Sequence, residues 1–246
     1  MNRMLILYIF LLLCGTVSAQ QIVEWSDLQT ITDNSRRTVY YKKGRKQPLR
    51  GKYRIIRGLD EEHVKLSDGM INGDYHRYRD GVLRESGIYV KGKRNGTFTE
   101  YYQDGVTPRK ETPILQGKID GTVKTYFRNG KIEIEKEYKQ SVENGRERRF
   151  ANKTGKQIFE SHYIDGKKDG EEWEIFEDAS TLRSRIIRHY RNGKLDGSYR
   201  VESTRDGKPY ITIEGQYTDG EKSGQWIEHN YDNNTQTCTW HGEGGA

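Results

Sequence analysis

The sequence predicts an all-β protein: an elongated repeat of antiparallel β-hairpins that builds a single-layer twisted sheet or solenoid. Three observations carry that expectation. First, the pattern Tyr-x-x-Gly-x-x-x-Gly at Tyr163/Gly166/Gly170 returns at Tyr89/Gly92/Gly96, Tyr190/Gly193/Gly197 and Tyr217/Gly220/Gly224. It returns again with Ser141 in the middle place at Tyr138/Gly145, and with an aliphatic residue for tyrosine at Leu66/Gly69/Gly73 and Ile114/Gly117/Gly121. The closing glycines lie 23 to 27 residues apart, which gives about seven units, and a period in that range marks a repeat architecture. Second, fourteen of the 27 glycines directly follow Asp or Asn. Such pairs favour tight hairpin turns, whose two central residues both take positive φ. Third, the segments between glycines are short and rich in aromatic and β-branched residues, a strand signal.

Composition limits the alternatives. Hydrophobic residues are only 32% of the chain, the same share as charged ones, which is too polar for a conventional two-layer domain of 246 residues. Low apolarity with high charge points towards disorder, but 17 tyrosines, four tryptophans and a regular turn pattern argue against it. A thin sheet with much of its surface wet fits both facts.

Residues 1–19 read as a signal peptide. Met1-Asn-Arg3 is a short basic start, an apolar run follows from Met4 to Gly15, and Val17-Ser-Ala19 suits cleavage before Gln20. A retained membrane anchor and lipoprotein processing at Cys14 are the alternatives, although Leu13 stands where lipoprotein signals carry a small residue. Removal of this segment leaves Cys238 alone, so no internal disulfide is expected.

Residues 20–50 form a lead-in. The helical spacing of Trp25, Leu28 and Ile31 predicts a short capping helix over the end of the sheet. A basic run follows: residues 34–59 hold ten Lys or Arg, including Arg36, Arg37, Lys42, Lys43, Arg45 and Lys46, and no acid. Behind a signal peptide such a run suits an anionic membrane surface, an acidic glycan or an acidic partner rather than nucleic acid. A solvated pair of strands accounts for it equally well. Thr38-Val-Tyr-Tyr-Lys and Gly51-Lys-Tyr-Arg-Ile-Ile-Arg are read as the first strands, joined through Gly44 and Pro48.

Regular units then occupy residues 51–242, with a tail at 243–246. In each, one strand opens after the closing glycine, as in Thr97-Phe-Thr-Glu-Tyr-Tyr, and a second ends on the repeat tyrosine, as in residues 157–163. Both Asx-Gly pairs of a unit are read as turns. Pro113, in the irregular unit, is expected at an edge or bulge. Tyr75, Phe98, Trp173, Tyr199 and Trp226 are expected to form an aromatic ladder along one face. Aromatics also recur five residues after the closing glycine, on the other face of a flat strand unless a bulge or strong curvature intervenes. If the segment from Thr235 caps the far end, Cys238 and Trp240 pack and His241 is on the surface.

A Gly-x-aromatic-x-x-Tyr/Phe-x-x-Gly segment followed by Tyr-x-x-Gly-x-x-x-Gly resembles the MORN repeat in its bacterial variant form. The resemblance covers about residues 51–242, and its defining positions here are Tyr89, Gly92, Gly96, Gly121, Tyr138, Gly145, Tyr163, Gly166, Gly170, Tyr190, Gly193, Gly197, Tyr217, Gly220 and Gly224. It implies a twisted antiparallel sheet acting as an interaction or scaffold surface, in some bacterial members labelled antitoxin-like, and it implies no reaction. The chain departs from the pattern in its basic first unit and near Asp178-Ala-Ser-Thr, where the turn glycine is missing.

No motif for catalysis, metal or cofactor emerges. His162 and His189 each precede a repeat tyrosine, a solvent-facing position that also allows a metal pair on adjacent units. Cys238 and His241 lack an orienting third group. Glu172 and Glu174 would share a strand face as a solvated edge. The repeated Asp-Gly turns lack the calcium β-roll pattern. The expected function is therefore an exported, non-enzymatic scaffold in the bacterial envelope, periplasmic, outer-membrane-associated or secreted, that binds a protein partner. The alternatives are a binder of an anionic surface or glycan through residues 36–57, and an antitoxin-like neutralising protein.

Overall fold

The computed structural model describes residues 19–177 and 182–242; residues 1–18, which hold most of the expected signal peptide, Asp178 to Thr181 and residues 243–246 lie outside the described residues. The described residues are all-β, and 19 of their strands form one open sheet, built as a hairpin meander from Gly51–Arg57 to Thr235–His241. The meander is antiparallel throughout, and one parallel strand, Gln21–Glu24, lies beside Gly51–Arg57 at its start.

The repeat position, Leu66 or Ile114 in two units and tyrosine in the others, leads into a tight turn each time. Its two central residues have positive φ at Asp68-Gly69, Lys91-Gly92, Gln116-Gly117, Asp165-Gly166, Asn192-Gly193 and Asp219-Gly220. Gln140-Ser141 takes the same shape, with Ser141 at φ 72° where the other units have glycine. Hairpins follow because this turn twists in the sense of the strands it joins.

The closing glycine behaves differently from the sequence expectation. It does not make a second turn. Gly73, Gly96, Gly145, Gly197 and Gly224 lie inside strands, and Gly121 and Gly170 open strands directly after a short break. In the second unit Ile88 pairs with Asn95 and Ser86 with Thr99, so two steps on one strand face four on the other. The same count occurs at Leu66/Ile71 to Val64/Tyr75, Tyr138/Glu143 to Lys136/Glu147, Tyr190/Leu195 to Arg188/Tyr199 and Gln216/Ser223 to Glu214/Ile227. Each return strand thus absorbs a two-residue bulge at the closing glycine, whose φ of 65–120° favours a residue without a Cβ. An insertion of two preserves the faces, whereas an insertion of one would turn every later side chain over.

The Asx before the closing glycine has its own task. Asn72 Oδ1 accepts the Lys91 amide at 3.0 Å, Asn95 that of Gln116 at 3.2 Å, Asp120 that of Gln140 at 3.2 Å and Asp169 that of Asn192 at 3.0 Å. Each accepted amide belongs to the turn of the following unit. A backbone bond runs beside it, as from Gly92 N–H to Ile71 O and from Gly193 N–H to Lys168 O. Turns therefore stack on the preceding unit through one main-chain and one side-chain bond. Changing Asp169 to alanine is expected to lower stability by about 1 kcal/mol, the usual contribution of such a bond, measured by urea unfolding.

Pro113 lies where the return strand breaks: Lys118–Ile119 and Gly121–Tyr126 are separated at Asp120, whose amide donates to the Pro113 carbonyl at 3.1 Å. The lead-in is not helical. Trp25–Asp27 is a single 3₁₀ turn and Leu28–Thr32 is a strand paired with Thr38–Lys42, so Ile31 sits opposite Val39. The β-branched run Thr-Ile-Thr favours the strand, and no side chain caps a helix start at Glu24. Thr38–Lys42 and Gly51–Arg57 thus belong to different sheets. The two-stranded sheet lies over the first units as a second layer, where Leu28 and Tyr40 join Tyr53, Ile55, Val64, Leu66, Ile71, Tyr75 and Phe98 in one buried cluster.

Candidate functional site

The bulge places the residue two positions after each closing glycine on one face, facing the repeat tyrosines. This inner row reads Tyr75, Phe98, Val123, Glu147, Glu172, Tyr199 and Trp226. All but Tyr199 are buried; Phe98 is 2% exposed and Glu172 only 1%. Near the start, Tyr75, Tyr89 and Phe98 have ring centroids 5.2 to 6.3 Å apart. Near the end, Tyr199, Tyr217 and Trp226 repeat the arrangement at 5.2 to 5.6 Å. Each cluster has a cation over a ring: Arg94 4.4 Å from the centroid of Phe98, and Lys222 4.1 Å from that of Trp226. Each also has a glycine across the sheet. A Cβ on Gly87 would lie 2.6 Å from the Phe98 ring, and one on Gly215 would collide with Trp226.

Trp173 is not in the ladder, contrary to expectation. It stands three residues after Gly170, on the opposite face, and Glu172 takes its place inside. Glu172 is also not part of a solvated edge. It accepts from Lys168, lies 3.0 Å from Arg188 Nε and receives the Tyr190 hydroxyl at 3.4 Å. Glu147 repeats this design with Lys136 at 3.0 Å, Arg149 at 2.7 Å and the Tyr163 hydroxyl at 3.1 Å. Burial pushes the Glu147 carboxyl up, but bonds from Lys136 and Arg149 outweigh it and hold the group below its ordinary value of 4.5. Lys136 is correspondingly raised: burial lowers it, and Glu143 and Glu147 more than offset that. The Tyr163 phenol is pushed up to about 12, by burial first and by Glu147 next. The inner row is thus two aromatic clusters joined through a stretch of satisfied buried carboxylates.

The aromatics five residues on do occupy the other face. Tyr78 stacks near His63 at 4.6 Å, the Tyr101 hydroxyl is 3.0 Å from Ser86 Oγ and the Tyr126 hydroxyl donates to Glu111 at 2.6 Å. They are half-buried and spaced by one unit each.

The same outer face holds His162 and His189. Their role is structural and recurrent: each Nδ1 donates to the carbonyl exposed by a glycine bulge, Glu171 O at 3.3 Å and Ser198 O at 3.2 Å. In the neighbouring unit Glu137 does the reciprocal job and accepts the Arg146 amide at 3.0 Å. His189 also meets the Ser198 hydroxyl at 3.0 Å and lies 3.7 Å from Glu171, beside an open depression of about 470 Å³. This looks like a nucleophile, base and orienter. However, the same Nδ1 faces the Ser198 carbonyl, which can only accept, and the tautomer that makes this bond cannot take a proton from the Ser198 hydroxyl. Among the described residues no group of three or more His, Cys, Asp or Glu is placed to hold a metal ion.

The basic segment divides in two. Arg37 pairs with Asp33 at 2.7 Å, Arg50 with Asp68 and Arg54 with Glu61, while Arg57 stacks 3.7 Å over Trp25. Arg36, Lys42, Lys43, Arg45 and Lys46 are exposed and have no carboxylate partner among the described residues. Lys42, Arg45, Lys46 and Arg50 rim a depression of about 640 Å³ floored by Tyr53 and Leu49. At the other end, Cys238 and Trp240 are exposed rather than packed, and His241 is the residue that packs, 6.1 Å from Trp226.

Comparison with protein-family models and with curated proteins finds no match to this chain.

Proposed function

We propose that the chain is an exported, non-enzymatic β-repeat protein, MORN-like in kind, that acts as a scaffold for a protein partner in the bacterial envelope. The observation that carries this reading is the division of labour between faces. The inner row is consumed by packing, whereas the outer face carries Tyr78, Tyr101 and Tyr126 half-exposed at unit spacing among Arg and Glu side chains. Tyrosine and arginine most often dominate interface energy, and their periodic placement suits an extended partner. The test is capture from the native envelope with tagged residues 20–246, washed at low and high salt. A defined protein retained at high salt, and lost with Tyr101→Ser plus Tyr126→Ser, is the expected result. Retention by that double variant contradicts the reading.

A second reading rests on the exposed loop cations Lys42, Lys43, Arg45 and Lys46. They would hold an anionic lipid surface or glycan, and binding would fall steeply as salt screens it. Loss of all captured material at high salt, reproduced at low salt by changing these four residues to serine, favours it.

A further inference from the structure

The last strand, Thr235–His241, is paired along its inner side with Glu221–Asn230, from Gly224/His241 to Asn230/Thr235. Among the described residues nothing pairs with its outer side. Such an edge offers a row of free N–H and C=O groups, and proteins usually blunt it with lysine, proline, a bulge or brevity. This one is not blunted. It is seven residues long and contains no charged residue and no proline, in a chain that is 32% charged. Six of its seven residues are exposed, and Trp240 is 68% exposed. The opposite edge, Gln21–Glu24, is only four residues long and ends on a glutamate.

The strand is also complementary to itself. Thr235 and His241 stand three residues either side of Cys238, so a two-fold axis at Cys238 registers the whole strand with an antiparallel copy. Thr237 then faces Thr239, Gln236 faces Trp240, Thr235 faces His241 and Cys238 faces Cys238. Threonine pairs stabilise opposed strands, and no like charges meet at any position. The glutamine stem covers an indole that is otherwise in water. A two-fold contact of this kind closes on itself and uses up this edge in both copies.

We propose that a second copy of this chain docks antiparallel on Thr235–His241, joining two sheets edge to edge. The contact uses main-chain bonds and does not depend on a disulfide. It lies away from the outer-face tyrosines and the basic loop, so it stands or falls separately from the functional reading above.

The experiment is sedimentation over a range of concentrations, with a short bismaleimide as reporter of register. The unaltered protein is expected to dimerise and to cross-link through Cys238, and Cys238→Ser to dimerise without cross-linking. Thr237→Lys combined with Thr239→Lys sets lysine against lysine twice and should weaken dimerisation about tenfold or more. Its melting curve reports whether the final hairpin is still folded, and Gln236→Lys with Trp240→Lys repeats the test on the other face. A monomer at every concentration overturns the proposal. So does a dimer indifferent to both lysine pairs, or a monomer that accepts a foreign extended peptide on this edge.

Discussion

Replacing Trp226 with alanine is expected to destabilise the C-terminal units by about 3 to 5 kcal/mol, the usual cost of removing a buried tryptophan. The indole is buried, lies against the rings of Tyr199 and Tyr217, fills the space left by Gly215 and carries Lys222 on its face. Truncation to alanine removes the contacts with both tyrosine rings and with Lys222 together. Contacts in a stacked repeat reach only neighbouring units. Hydrogen exchange should therefore show protection lost first in Lys208–Thr218 and Glu221–Asn230 and kept near Tyr75 and Phe98. Trp173→Ala is the matched control. That side chain is on the other face with Arg185 5.5 Å above it, and its loss should cost clearly less. Equal costs, or an unchanged melt for Trp226→Ala, would show that the inner row is not the spine.

Changing Glu147 to glutamine should cost about 2 to 3 kcal/mol at neutral pH, since it weakens charged hydrogen bonds from Lys136 and Arg149. Lys136 keeps Glu143 at 2.7 Å, which limits the damage. The effect should depend on acid. The folded carboxyl titrates below its unfolded value of 4.5, so its contribution is full above that pH and is lost as pH falls through the folded value. The stability gap between the unaltered protein and Glu147→Gln should hold from neutral pH down to about 5 and then close. Urea midpoints across that range measure it. A gap that stays constant into acid would mean that the carboxyl titrates alike in the folded and unfolded chain, so that Lys136 and Arg149 do not stabilise its charged form.

Much of the architecture was legible because it is written locally. Turn chemistry at Asp165-Gly166 and its equivalents depends on two residues, and their positive φ follows from residue type. The rest depended on register, which no local pattern carries. Asn95-Gly96 resembles Asp165-Gly166 in sequence, yet its glycine lies in a bulge and its Asn locks the next turn. Once that bulge is counted, position two after Gly170 is Glu172, and hydrophobicity alone had favoured its neighbour Trp173. Glu172 can be buried because Lys168 reaches it across the bulge of its own return strand and Arg188 stands opposite it on the paired strand, and neither relation is apparent before the register is known. The histidines tell the same story: His162 and His189 mend the bulge at Glu171 and Ser198, which the sequence presented as continuous strand. The basic run is visible in the sequence as a cluster of cations, but only the fold separates the arginines with acidic partners from the open loop at Lys42 to Lys46.

The two-residue bulge underlies the inner row, the turn lock and the separation of faces, so the register around Gly96 is the most direct test. In a Cys238→Ser background, Ser86→Cys should be paired once with Thr99→Cys and once with Thr97→Cys, and cross-linking compared. With the bulge, Ser86 stands opposite Thr99, and that pair should cross-link readily while the Thr97 pair does not. A regular ladder continued from Ile88/Asn95 would put Thr97 opposite Ser86, and preferential cross-linking of that pair would contradict the account.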